Sequence, residues 1–342
     1  MAPTSHAGAR SHRQPERHRR VALGRTMVGP TGHRRRPPPT VSPHPSGHPL
    51  NEDKAAPTRR LASLQVVAAA MLFGTTGTAR AKGPHGTDPL VAGAVRVAIA
   101  GLLLSLIASH ADRAWWRGLP RWPLLGGAAG VAVYQLAFFE GVARTGVAIG
   151  TVVAIGSGPV FAGVLGWFLL RERPPGAWYV ATLLAVAGGA IISLAGSSLP
   201  ADPLGVGLTL LAGFGYAAYT MLSRQLIVGG APARAVMAGA FGIAALLLVP
   251  TYFVRDTDWL FSTRGSLLAL YLGTLPTTGA YLLFSNGLRT LTGSTVTTLV
   301  LAEPVTAVLL ARLVLNETLV AAQWGGIAMV LVGIGLLSRA RA

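Results

Sequence analysis

Few residues in the apolar part of this chain could do chemistry, and each of them would stand in hydrocarbon-like surroundings. Glu303 lies at the centre of the apolar segment 294–315, directly before Pro304, and Arg96 lies about a third of the way through the segment 89–109. Glu140 stands near the end of the segment 123–143, with Tyr134 and Gln135 a helical turn or more before it. Tyr281 and Asn286 fall in the segment 264–288, and Tyr216 and Tyr219 in the segment 204–224. An ionisable group inside a membrane is costly, so such residues mark substrate or ion pathways by default. A mid-segment carboxyl such as Glu303 can carry a proton or hold a cationic group; the alternative is a buried, hydrogen-bonded structural carboxyl. Arg96 can bind a substrate carboxylate or pair with Glu303, or else serve as a structural arginine reaching for the interface. Glu140 is near enough to a segment end to reach water. The tyrosines and amides would add a polar lining, unless they only pack.

What is missing narrows the chemistry further. The chain has no cysteine, and with it go disulfides, thiol nucleophiles and thiolate metal sites. It has no H-E-x-x-H, no G-x-S-x-G and no G-x-x-x-x-G-K-[ST], and beyond residue 60 its only histidines are His85 and His110, both near segment ends. Neither a membrane-embedded enzyme, a metal site nor direct use of ATP is expected.

The elements that must position these residues are read from composition. Of 342 residues, 51% are hydrophobic and 12% charged, about half the charged share of a soluble protein. The net charge of +17 would suggest nucleic acid were it spread evenly, but residues 1–60 hold 12 of the 29 Lys and Arg, 6 of the 8 His and 10 of the 23 Pro, with almost no apolar run. That segment is expected to be a disordered, basic cytoplasmic tail, with an arm that binds anionic lipid as the alternative. It carries no aromatic residues for base stacking, so no nucleic-acid partner is expected.

From Leu61 onward, ten apolar segments follow: 62–80, 89–109, 123–143, 147–170, 177–196, 204–224, 233–254, 264–288, 294–315 and 320–338. Each approaches the roughly 20 residues that span a bilayer, and none alternates as a barrel strand must. The expected fold is an all-α polytopic membrane protein. With the amino terminus inside, inner loops and tail carry ten basic residues after residue 60 against five outside, which places both termini in the cytoplasm.

The chain also repeats itself. Gly158–Glu172 aligns with Glu303–Glu317, matching Pro159 to Pro304, Ala162 to Ala307, Leu170 to Leu315 and Glu172 to Glu317, and Phe73-Gly74 recurs as Phe214-Gly215. Five segments make one unit, over 61–196 and again over 204–338. An odd unit repeated in one membrane must run in opposite directions, the inverted repeat that secondary transporters use for alternating access. Pro159, Pro304 and Pro276 each remove a backbone donor in mid-segment and are expected to break their helices, freeing the carbonyls of Ile155 and Val300 toward protein or a wet cavity. Small residues at Gly126 and Gly130, and at Ala162 and Gly166, predict close helix contacts.

Together with Arg171-Glu172-Arg173-Pro174, Ala302-Glu303-Pro304-Val305, Asn316-Glu317 and Val95-Arg96, this architecture resembles the EamA-type transporters of the drug/metabolite transporter superfamily. The resemblance implies a bacterial inner-membrane transporter, often an exporter of amino acids, related metabolites or drugs, with a cavity between the repeats and no cofactor. Its partners would be a small-molecule substrate and the lipid bilayer, with a homodimer left open. A channel or lipid flippase on the same fold is the competing class. The two halves differ where Glu303 faces Gly158 and where Glu140 faces Asn286.

Overall fold

The computed structural model describes residues 58–195, 202–316 and 318–339, and every regular element among them is helical. Ten helices are long and apolar enough to cross a membrane: α1 (Arg59–Ala81), α2 (Pro89–Ala111), α3 (Arg121–Thr145), α4 (Val147–Leu170), α5 (Gly176–Leu194), α6 (Pro203–Val228), α7 (Ala233–Val254), α8 (Thr263–Leu288), α9 (Gly293–Val314) and α10 (Ala321–Arg339). The ten apolar segments therefore coincide with the ten helices to within a few residues. The expected basic tail, apart from its last residues, and Glu317 lie outside the described residues.

Local sequence explains where several helices begin. Asp88 accepts hydrogen bonds from the amides of Leu90 and Val91 at the start of α2, and Asp202 accepts from Leu204 at the start of α6. In both cases proline follows the cap, at the first helical position, where it has no amide to leave unpaired. Thr58, Ser262 and Thr292 cap α1, α8 and α9 in the same way.

Packing follows the repeat. Helix α1 lies against α8 and α9, as α6 lies against α3 and α4, while α2 packs on α7 and α5 on α10. Exchanging the first five helices for the second five turns this set of pairs into itself. The backbone repeats as well: Arg171 and Asn316, matched in the sequence repeat, are the two described non-glycine residues with positive φ, 53° and 60°. Each follows the end of its helix, α4 or α9.

Glycine lets the paired helices approach. A methyl group at Gly188 of α5 would fall 2.5 Å from the carbonyl oxygen of Gly326 in α10, and one at Gly326 would fall 2.6 Å from that of Gly188. Gly130 and Gly215 meet in the same reciprocal way where α3 crosses α6. Such contacts replace the hydrophobic drive that lipid does not supply. Gly326→Ala is expected to destabilise the fold by about 1–3 kcal/mol, because a backbone atom must give way. Gly325→Ala, which would meet nothing within 4 Å, is the control. Equal thermal unfolding midpoints for the two variants in detergent would contradict this close approach.

The prolines behave differently from one another. Helix α9 is interrupted at Val300 and Leu301 and resumes at Ala302, but the Val300 carbonyl is not left free: it accepts the Glu303 amide at 2.8 Å. Pro276 does not break α8. It sits in a π-helical turn, Thr274–Gly279, where the Leu272 carbonyl it releases accepts the Thr277 hydroxyl at 2.7 Å and the Gly273 carbonyl accepts Thr278 at 2.7 Å. Pro159 does not break its helix either, since α4 runs unbroken through it. Helix α7, not singled out for a break, is interrupted between Leu247 and Thr251 just where Pro250 falls.

Candidate functional site

A cavity of about 470 Å³ lies between the two halves. Its walls come from α1 (Phe73, Gly74, Arg80), α2 (Arg96), α3 (Tyr134, Phe138, Phe139), α4 (Thr151, Ile155), α5 (Ser193) and α9 (Glu303, Pro304). The wide part reaches Arg80 in the last turn of α1, Ala92 in the first turn of α2, Val147 at the start of α4 and Ser193 at the end of α5. These helix ends share one face of the bundle. At its deep end the cavity narrows to a recess of about 40 Å³ lined by Phe73, Arg96, Tyr134, Ile155, Tyr216, Tyr281, Val300 and Glu303.

Beyond the recess, contacts join the two halves. The hydroxyls of Tyr219 and Tyr281 are 2.9 Å apart, with the Phe241 ring tilted against Tyr281 and the Phe284 ring meeting it edge-on. Trp178 of α5 donates to the Ser294 carbonyl at 3.1 Å and to the Thr298 hydroxyl at 3.0 Å, joining the first half to α9. At the closed face, Arg224 of α6 donates both to the Glu172 carboxylate, just after α4, and to the Leu288 carbonyl, at the end of α8.

The charged residues in the cavity are fixed to different degrees. Arg96 donates from Nη2 to Gln135 Oε1 at 2.8 Å, and Gln135 in turn donates from Nε2 to the Gly93 carbonyl at 2.7 Å. Among the described residues the Arg96 Nε is buried without a hydrogen-bond partner, as are Arg80 Nε and the Tyr216 hydroxyl. Glu303 shares the recess with Arg96, yet no hydrogen bond or ion pair joins them among the described residues. Helix α1 pins the Glu303 backbone: a Cβ at Gly74 would meet the Glu303 carbonyl oxygen at 2.7 Å.

The difference between Glu303 and Gly158 has a steric origin. A Cβ at Gly158 would lie 2.8 Å from the Tyr216 ring, so that ring occupies the space a side chain there would need. Only one member of the matched pair can send a side chain toward the recess, and it is the acidic one.

Of the candidates read from sequence, Glu303, Arg96, Tyr134, Tyr216 and Tyr281 meet in the recess. The others lie elsewhere. Gln135 is 1% exposed and braces Arg96 from behind the wall; Tyr219 reaches the group only through Tyr281. Asn286 is outside the lining, one turn of α8 beyond Tyr281 toward the closed face. Glu140 does not face the cavity: it bonds Arg144 at 3.1 Å and Arg255 at 3.4 Å near the helix ends, where water screens all three. Arg80, not singled out in the sequence, reaches the cavity because it stands in the last turn of α1. The role of Glu172 was missed too, because its partner Arg224 is 52 residues away with no signal linking them.

Comparison with known proteins agrees with this architecture. Residues 60–194 and 203–339 each match the model of the EamA-like transporter family. A Bacillus subtilis (strain 168) protein named "Uncharacterized transporter YwfM" is 40% identical over 279 residues, 81% of this chain and 94% of its own. An "Uncharacterized transporter" of Archaeoglobus fulgidus is 27% identical over 256 residues, 74% of this chain and 90% of its own. A solved crystal structure superposes with a TM-score of 0.70 at 21% identity, over 80% of this chain and 95% of that one, a likeness of fold.

Proposed function

The chain belongs to the EamA-like transporter family, a multi-pass membrane protein with two repeats, and on that premise we propose that it is a secondary transporter exporting small metabolites such as amino acids or drugs. The transport proceeds by alternating access, with Glu303 as the proton-coupling group. One observation carries the reading: the cavity is bounded by both halves, open at one face, and ends blindly at a recess holding Arg96 and Glu303. A site enclosed this way is exposed to the other side by rocking one repeat against the other. A channel would need a continuous path, whereas here the way is closed by the tyrosines and by the Arg224 contacts.

The excess of basic residues in alternate loops supports a plasma-membrane orientation with both termini in the cytoplasm. Helix α1 then runs outward, and the open face of the cavity is the outer one. A reporter active only in the cytoplasm, fused after Ala342, is expected to be active; activity of a periplasmic reporter at the same site instead would reverse the orientation.

The carrier itself is tested in liposomes. Among amino acids, nucleosides and cationic dyes, at least one solute is expected to show saturable uptake accelerated by the same solute on the far side. Flux that rises linearly with concentration and ignores the far side would make the protein a channel.

A further inference from the structure

We infer that the solute accepted by this cavity carries a carboxylate, seated on the guanidinium of Arg96 and positioned by Gln135; the inference rests on the carrier reading and names its substrate chemistry. Three observations meet on Arg96. One edge of its guanidinium is fixed, Nη2 to Gln135 Oε1 at 2.8 Å, and Gln135 is itself anchored to the Gly93 carbonyl at 2.7 Å. The Arg96 Nε is buried and has no hydrogen-bond partner among the described residues. The acidic residue nearest in the lining, Glu303, shares the recess without forming an ion pair with it. Arg96 is only partly buried, but its guanidinium makes no ion pair among the described residues, and a planar guanidinium held by one edge presents the geometry that suits a carboxylate. The charge is thus placed for a partner that the described residues do not supply.

The rest of the cavity agrees. Its lining has two guanidiniums, Arg80 and Arg96, against one carboxylate, Glu303. The Arg80 Nε is also without a hydrogen-bond partner among the described residues, and the nearby acid, Asp88, is outside the lining, its Oδ1 accepting the Leu90 and Val91 amides. Arg80 at the wide end and Arg96 at the narrow end therefore draw an anion inward. The Phe73, Phe138 and Phe139 rings offer an apolar wall for the solute's carbon skeleton. A carboxylate can belong to an organic acid or to a zwitterion, whose ammonium group would then face Glu303.

Four probes with one aromatic ring separate these cases: benzoate, phenylalanine, phenethylamine and benzyl alcohol. Each is added at about 10 mM, tenfold above a weak ~1 mM Kd, to the purified full chain in detergent, and binding is read by calorimetry and thermal unfolding. At least one of the two carboxylates is expected to bind, and phenethylamine and benzyl alcohol are not. Benzoate binding identifies an organic-acid site. Phenylalanine binding that Glu303→Gln weakens several-fold identifies a zwitterion site. Arg96→Gln is expected to reduce carboxylate binding at least tenfold. Arg96→Lys keeps the charge but lacks the planar pair of N–H donors and is expected to weaken carboxylate binding several-fold, so the test survives if Arg96→Gln does not fold. Binding of neither carboxylate, equal binding of the amine or alcohol, or carboxylate binding that survives both variants overturns the inference. Because binding is read without flux, a chain that binds carboxylates but does not move them would fail as a carrier only.

Discussion

Glu303→Gln is expected to abolish accumulation driven by a pH gradient while leaving exchange of the same solute intact. The side chain lies on the cavity wall beside the interruption in α9, with the backbone held in place by α1 at Gly74 and no ion pair to Arg96 among the described residues. A carboxyl there can take a proton from the open side and release it when access changes, whereas a glutamine of the same shape cannot. One pH unit corresponds to about 1.4 kcal/mol per proton, so a carrier moving one proton per solute sustains at most about tenfold accumulation across such a gradient. In proteoliposomes that ratio should fall to one in the variant, with the exchange rate kept within a few-fold. Exchange retained together with the full pH-driven ratio would make Glu303 a structural carboxyl.

The second large effect is expected at the closed face, where Arg224 joins Glu172 of the first half to the end of α8 in the second. Both side chains are mostly buried, at 11% and 15% exposure. Removing one partner of a buried pair typically costs about 3–5 kcal/mol, and the cavity cannot open to this face until the pair parts. Arg224→Gln should therefore favour the inward-open state by roughly a hundredfold or more, each 1.4 kcal/mol being about tenfold. The absence of cysteine makes the measurement clean, since a single introduced thiol is the sole target for a maleimide. A thiol at Ser294, now buried near the closed face, should label faster in the variant, and one at Thr151 in the open cavity should label more slowly. A mere loss of folding would speed both. Unchanged labelling at both positions would show that the pair does not hold the face shut.

The sequence by itself determined the class, the ten spans and the two inverted halves. Those features depend on local quantities, since apolar length, capping residues such as Asp88 and Asp202, and a direct repeat from Pro159 to Pro304 are written along the chain. It also singled out Glu303 and Arg96, because charge inside an apolar segment is visible without coordinates. Which of the other polar residues share their recess was decided only by the tertiary structure. Glu140, Asn286 and Gln135 lie in segments as suitable as those of Tyr134 and Tyr281, but side-chain direction depends on how each helix is rotated against its neighbours. That rotation is set by contacts made across the whole chain, such as Gly130 on Gly215 and Gly188 on Gly326. The effect of proline was decided there too. Each of the three removes the same donor, and the outcome was an unbroken helix at Pro159, a π-helical turn at Pro276 and an interruption just before Pro304. Which carbonyl is left unpaired depends on the groups that can reach it, the hydroxyls of Thr277 and Thr278 at one site and the Glu303 amide at another, and that reach is a property of the folded geometry.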